Sequence, residues 1–271
     1  METIVKRLLC PLCSSDIASK FAKWDHREIV KCRVCSFVYA SHYDNAVLES
    51  VYKNSYYDSA SDPRIKAWID RFKKTWQGLV EDLLSTKPQI NSLLDIGAGT
   101  GGFLIYFQEA SPQTKLSAIE SSGHARSHLE SQIKNLEVPV DSAEELSQVK
   151  AKYDAVVLLQ CLEHVHAPLE LCKNIYQLMN DDGVFFLTVP NRKSFQNWFK
   201  TKLEIKCYAN KTHLQFFSHD TLEEMLKKAG FKTIQRISRF GGTEISGVNA
   251  LFQFALRKMG KSTELRYIVK K

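Results

Sequence analysis

The sequence predicts an α/β protein. A doubly wound, seven-stranded, mostly parallel sheet is expected at residues 91–271, and a small four-cysteine zinc ribbon at residues 1–42. Three observations carry that expectation. Leu93-Leu94-Asp95-Ile96 is a short apolar strand that runs through Gly97-Ala98-Gly99-Thr100-Gly101-Gly102 into a helix at Phe103. That arrangement lets a nucleotide-like ligand approach backbone where side chains would block it. Tyr153 to Leu159 is an apolar run of the kind found in a buried central parallel strand. Cys10-Pro-Leu-Cys13 and Cys32-Arg-Val-Cys35 are two CxxC pairs spaced as in paired zinc knuckles.

The 271 residues are 44% hydrophobic with a net charge of +7, enough for one well-buried core and a small appendage. No apolar stretch reaches the length of a membrane span. The first nine residues are too short and too charged for a secretory signal, so a cytoplasmic location is expected. The seven cysteines then point to thiols and metal ligation rather than disulfides. Cys10, Cys13, Cys32 and Cys35 offer a closed set of four soft ligands with no open position for substrate. The expected zinc is therefore structural and distant from the chemistry. Phe21, Trp24, Ile29, Val34, Phe37 and Tyr39 alternate between and after the pairs, as in a ribbon of hairpins.

Residues 43–90 read as a linker. Its tyrosines, Tyr43, Tyr52, Tyr56 and Tyr57, suit packing of the ribbon onto the main domain, or a lid over a ligand. Asp62-Pro63 starts a helix, with the aspartate as cap and proline at the first position. Ile65, Trp68, Ile69, Phe72, Trp76, Leu79, Val80, Leu83 and Leu84 continue it at helical spacing.

Gly97, Gly99 and Gly102 formally satisfy GxGxxG, a dinucleotide fingerprint. Asp95, two residues before the first glycine, disfavours a pyrophosphate there and suits a cationic ligand without phosphate. Lys115 to Glu120 is a second strand ending in an acid able to accept from ribose hydroxyls, and Ser121-Ser122-Gly123 begins a helix. Leu136–Val140 gives a third strand, followed by Asp141-Ser142-Ala143, where Asp141 can also cap a helix. The run from Tyr153 delivers Gln160, Glu163 and His164 beside the glycine loop if the sheet is doubly wound. A helix over Pro168–Met179, a turn at Asp181-Asp182-Gly183 and a strand over Val184–Val189 follow, closed by Pro190-Asn191.

Residues 190–212 hold Arg192, Lys193, Lys200, Lys202, Lys206 and Lys211 against Glu204 alone. That imbalance is a solvated basic face or a device that attracts an anionic substrate. Ser218 caps a helix over Leu222–Lys228, and Gly230 closes it. A strand over Phe231–Arg239, a helix over Val248–Met259 and an antiparallel strand over Leu265–Val269 complete the chain.

The Leu93–Phe103 stretch resembles motif I of the class I S-adenosylmethionine-dependent methyltransferases, whose cofactor carries a sulfonium and no phosphate. The resemblance implies a cofactor site made of Asp95, Gly97, Ala98, Gly99, Glu120, Ser121, Asp141, Ser142, Ala143 and Gln160. Leu162-Glu163-His164-Val165 resembles the quinone-biosynthesis O-methyltransferases and the small-RNA 2′-O-methyltransferases. In those families two glutamates and the histidine can hold a divalent cation near the accepting hydroxyl. Gln160 stands at the first of those positions, and a neutral amide is a poor ligand for a hard cation. The expected catalytic role is thus a general base, His164, acting beside Glu163. Its rate should rise through the ordinary imidazole pKa near 6.5. His213-Leu-Gln-Phe-Phe-Ser218 is similar to a string of small-molecule members in which the histidine faces the acceptor pocket.

The implied reaction is methyl transfer to a hydroxyl of a small, anionic or neutral metabolite such as a sugar, polyketide or surface-polysaccharide intermediate. The alternative is a ribosomal-RNA base methyltransferase, because a CxxC ribbon before such a domain also resembles the guanine methyltransferases and positive charge suits phosphates. Against it, the chain lacks the Asn/Asp-Pro-Pro-Tyr type of string. A zinc-ribbon binding module with a vestigial cofactor domain is disfavoured by competent residues at the cofactor positions.

Overall fold

A computed structural model describes residues 4–24, 27–48, 62–202, 210, 212–237 and 259–271. Side-chain alternation decides which way each central strand faces. In β5 (Ser92–Ile96) Leu93 points to one core, and Leu94 and Ile96 to the other. In β7 (Tyr153–Leu159) Ala155 and Val157 oppose Val156 and Leu158 in the same way. A strand buried on both faces needs helices on both sides of its sheet. One face is covered by α1 (Pro63–Arg71), α2 (Lys73–Thr86), α3 (Gly102–Ala110) and α4 (Gly123–Gln132). The other is covered by α5 (Pro168–Leu178) and α7 (His219–Ala229), with α6 (Phe195–Lys202) between them in sequence.

The remaining strands of this sheet are β6 (Lys115–Ile119), β8 (Met179–Pro190), β10 (Thr233–Arg236) and β11 (Glu264–Lys270). Their order is β10-β11-β8-β7-β5-β6. β6, β5, β7 and β8 run parallel, while β11 is antiparallel to both β8 and β10. The main sheet therefore has six strands among the described residues rather than the expected seven. The segment expected as a third strand, Leu136–Val140, is reduced to one bridge. Glu137 donates its N–H to Leu116 O at 3.1 Å, and its carbonyl accepts from Ala118 at 2.9 Å. Two positions on, Pro139 has no N–H with which to continue the ladder.

Two other details depart from expectation. The long helix after Pro63 is two helices joined at Phe72, which sits at φ −102°, ψ 11°. Asp181-Asp182-Gly183 lies inside β8 as an irregularity, where pairing passes from Tyr153↔Met179 to Ala155↔Val184. The one acid in the β7 run explains how that irregularity is held. Asp154 accepts from Asn180 Nδ2 at 2.7 Å and from the N–H groups of Asn91 and Ser92 at 2.8 and 3.2 Å. It thereby staples β5 and β8 to β7.

The N-terminal strands β1 (Ile4–Lys6), β2 (Ala18–Trp24), β3 (Arg27–Cys32) and β4 (Val38–Asp44) pair in the order β1-β4-β3-β2. A fifth strand, β9 (Gln215–Phe216), comes from the far end of the chain and pairs with β4 at Val38↔Phe216 and Tyr39↔Gln215. Phe37 packs on Phe217 with ring centres 5.3 Å apart, and Cys10, Leu12, Phe37 and Tyr39 join the core that also contains α5 and α7. Tyr52, Tyr56, Tyr57, Lys206, Lys211 and nearly all of the expected Val248–Met259 helix lie outside the described residues. No helix among those described is long and apolar enough to cross a membrane.

Candidate active site

A cavity of about 1210 Å³ opens where β5, β6 and β7 end, the crevice in which doubly wound sheets bind ligands. Its floor is the glycine turn. Gly97 has φ 73°, and a Cβ there would lie 2.8 Å from Cys161 Sγ. Gly101 caps α3 at φ 82°, a left-handed backbone that favours glycine, and a Cβ there would meet the tip of Leu129. Gly99 donates its N–H to Glu120 Oε2 and Ser122 donates to Oε1, both at 2.7 Å. Burial raises the Glu120 carboxyl against these bonds. Asp95, 2% exposed, is pushed up to about 8 by burial and by the charge of Glu120.

Gly97, Gly99, Glu120, Ser121, Ser142, Ala143 and Gln160 line this cavity, whereas Asp95, Ala98 and Asp141 are not on its wall. Asp141 pairs instead with Arg126. The cap considered for Asp141 is made by Ser142, which accepts from Glu144 N–H at 3.2 Å at the head of a 3-10 turn, Ala143–Gln148. Asn45 and Leu48, just beyond β4, line the cavity too, with Trp68 and His166. No local sequence signal marks these four.

Beyond the cavity, two distant segments are tied together. The Glu163 carbonyl accepts from Leu214 at 2.8 Å and Gln215 at 3.0 Å. Gln215 Nε2 donates to Val165 O at 2.9 Å, and His164 Nδ1–H donates to Thr212 O at 3.1 Å. The ribbon clamps the same strip from outside. Ala40 donates to Leu214 O at 2.9 Å, Arg27 Nη1 to His213 O at 2.7 Å, and Arg7 Nη2 to His166 O at 2.8 Å. Tyr43 Oη lies 2.7 Å from His166 Nδ1.

These bonds bring Glu163, His164 and His213 together. The Glu163 carboxyl is 1% exposed with no hydrogen-bond partner on either oxygen. Its Oε1 lies 3.7 Å from His164 Nε2 and 3.9 Å from His213 Nε2. The two rings meet edge to face with centres 4.8 Å apart. Burial pushes Glu163 up to about 8 and His164 down to about 4. His213 falls to about 3 through burial, helped by His164 and Arg27. Donation from Nδ1 leaves the His164 lone pair on Nε2, facing a carboxylate oxygen. Two acceptors so placed need a proton or a cation between them.

The donor atoms of all three residues lie within 4.8 Å of one another. Two nitrogens and a carboxylate suit a borderline divalent ion such as zinc, manganese or iron. Gln160 does not join the set. It sits at φ 54°, and its amide engages Thr188 Oγ1 at 3.1 Å and Glu264 Oε2 at 3.4 Å. The third donor is His213, which no local spacing could pair with Glu163. The expected titration near 6.5 also fails for His164, because burial leaves the ring neutral well below that pH.

A second, smaller cavity of about 200 Å³ lies on the far side of the imidazole pair. His164 lines the large cavity and His213 the small one, with Arg192, Ser194, Asn197, Asn210 and Gln215.

The four ribbon cysteines converge separately. Cys10 and Cys35 sulfurs are 3.5 Å apart, and Cys13 and Cys32 sulfurs 3.6 Å, close to the edge of about 3.8 Å for a tetrahedron with Zn–S near 2.3 Å. Both turns have one backbone form. Ser14 and Ser36 are left-handed at φ 59° and 63°, and their N–H groups donate back to Cys10 O and Cys32 O at 2.9 and 3.1 Å.

A glycine turn at the switch point of a doubly wound sheet, facing an acid at the next strand end, defines a nucleoside-cofactor enzyme. The chain belongs to the methyltransferase domain family, which it matches over residues 67–236. Over 123 residues it is 24% identical to a Mycolicibacterium smegmatis protein named "Probable S-adenosylmethionine-dependent methyltransferase". That match covers 45% of this chain and 46% of the relative, so the chain spans about half the length of the curated relative it matches. Its fold is like that of the plantazolicin methyltransferase BpumL in complex with SAH, at a TM-score of 0.57 and 17% identity, covering 83% of this chain and 94% of that one. It is also like human N-acetylserotonin methyltransferase in complex with SAM, at 0.53 and 12%, covering 76% and 54%.

Proposed function

We propose that the protein transfers the methyl group of S-adenosylmethionine to a hydroxyl of a small-molecule acceptor. The observation that carries this reading is the His164–His213 pair standing between a large cavity and a small polar one. The cofactor occupies the large cavity, with Glu120 at its ribose and Ser142 and Ala143 at its base. The acceptor enters from the side of His213. Its oxygen forms a bond to the methyl carbon as the carbon–sulfur bond breaks, leaving S-adenosylhomocysteine. The sulfonium already activates the methyl, so the protein chiefly aligns the reactants and takes up the proton.

His164 Nε2 is the proton acceptor in this scheme, since Nδ1–H is committed to Thr212 O. The resulting imidazolium faces Glu163 Oε1, 3.7 Å from that nitrogen. The three side chains also fit a borderline divalent ion, because Glu163 has two buried oxygens without partners. Such an ion, when bound, lowers the pKa of the acceptor hydroxyl. Cys10, Cys13, Cys32 and Cys35 hold a separate, structural zinc. A 200 Å³ cavity favours a metabolite over an RNA strand.

Isothermal titration tests the reading. S-adenosylhomocysteine should bind one per chain and NAD should not, and Gly97→Val should lose that binding. NAD binding without S-adenosylhomocysteine binding overturns it.

A further inference from the structure

We propose that the small cavity receives an anionic oxyacid group of the acceptor, a carboxylate or a phosphate ester, with Arg192 as its counter-charge. The inference rests on the methyl-transfer reading and names the acceptor class for it. Arg192 follows the end of β8, where its N–H donates to Phe217 O at 2.8 Å. Its guanidinium carbon stands 5.7 Å from the ring centre of Phe21 in β2, so the ribbon supplies the platform on which the cation rests. Arg192 Nε is buried without a hydrogen-bond partner, and the side chain lines the cavity.

A buried guanidinium N–H left unmatched is unfavourable, and a forked oxyanion is the group that matches it best. Among the described residues no aspartate or glutamate lines this cavity, and Ser194 and Asn210 offer a hydroxyl and an amide to the remaining oxygens. The next cation along the chain is spoken for. Lys193 Nζ pairs with Asp220 at 2.6 Å and is not on the wall. Among the described residues Arg192 is the one arginine or lysine of the wall. An anion held there lies on the His213 side while the cofactor lies on the His164 side, so the group to be methylated meets the imidazole pair between them.

The test uses the full chain saturated with S-adenosylhomocysteine and titrated with phenyl phosphate, benzoate and benzyl alcohol. One saturable site for an anionic probe is expected, with benzyl alcohol at least tenfold weaker. A preference for phenyl phosphate assigns the ester, and a preference for benzoate assigns the carboxylate. Arg192→Gln should weaken the anions at least tenfold with unchanged melting temperature and S-adenosylhomocysteine affinity. Arg192→Lys should keep part of the affinity, and Lys193→Gln all of it. Equal binding of charged and neutral probes, or anion affinity unchanged in Arg192→Gln, overturns the proposal. Failure of S-adenosylhomocysteine to bind overturns the methyl-transfer reading instead, and Arg192-dependent anion binding would still support the cavity assignment.

Discussion

The molecule has two clusters able to hold a metal, and they are built on opposite principles. The four thiols of Cys10, Cys13, Cys32 and Cys35 sit on two turns of the same backbone form, each folded by its own short-range hydrogen bond. Glu163, His164 and His213 are assembled across the fold, and four hydrogen bonds between the 163–165 and 212–215 strips hold them in register. The first cluster is closed to substrate, while the second faces cavities on both sides. The ribbon nonetheless touches the second cluster directly, because Arg27 of β3 and Ala40 of β4 bond the carbonyls of His213 and Leu214. The local site thus braces the dispersed one.

Breaking the thiol cluster should have the largest effect. Apparent binding free energies for structural zinc run to about 10–16 kcal/mol in small domains, where metal binding and folding are one quantity. Cys32→Ser should lose zinc by metal analysis and lose amide protection along β3 and β4. Since Cys32 ends the strand that carries Arg27, turnover should fall with it. Zinc-free protein that keeps β4–β9 protection and full turnover would separate the two clusters.

Damage to the dispersed cluster should be smaller and confined to chemistry. Glu163→Gln or His213→Ala should lower kcat by roughly two to four orders of magnitude. S-adenosylhomocysteine affinity and thiol-bound zinc should stay near wild type. Metal analysis separates the two ways the cluster could act: a second divalent equivalent, present in wild type and absent in Glu163→Gln, assigns it as a metal site. The pH profile supplies an independent check. With His164 down at about 4, the neutral base is fully formed by pH 6, so this ring should add no rise in rate between pH 6 and 7. A rise of about threefold across that interval, the course of an imidazole near 6.5, would show that His164 keeps its ordinary pKa. A rise of about tenfold would instead track ionisation of Glu163, pushed up to about 8.

The contrast also explains what was legible in the sequence. The CxxC pairs, the glycine turn, the Ser218 cap and the β7 run are signals within a few residues, and each stands where its spacing placed it. Leu136–Val140 looked like a strand because its composition is right, yet Pro139 stops the ladder after Glu137. His213 was marked by its string, but its meeting with Glu163 depends on β9 pairing with the ribbon, which no period or motif encodes. The lining residues Asn45 and Leu48 were missed for the same reason. Asp141 shows the reverse limit: the string names the residue, and its side chain is turned to Arg126.

The smallest expected effect concerns Asp95, a buried carboxyl that sharpens the comparison because it has Glu163's shift without its imidazoles. Burial and the neighbouring Glu120 charge push it up to about 8, against about 3.9 in an unfolded chain. A folded-state pKa above the unfolded one means that the folded protein binds the proton more tightly. The associated stability is fully present below about pH 4 and is lost as pH rises through about 8. Asp95→Asn, which cannot ionise, should therefore gain on wild type as pH rises, by on the order of 2 kcal/mol between pH 6 and 8 in denaturant titrations. S-adenosylmethionine, with its sulfonium, should flatten the wild-type slope more than S-adenosylhomocysteine does, since a cation favours the ionised carboxyl. Equal slopes with the two ligands would place the sulfonium out of reach of Asp95. A slope unchanged by Asp95→Asn would mean that some other group loses its proton in that interval.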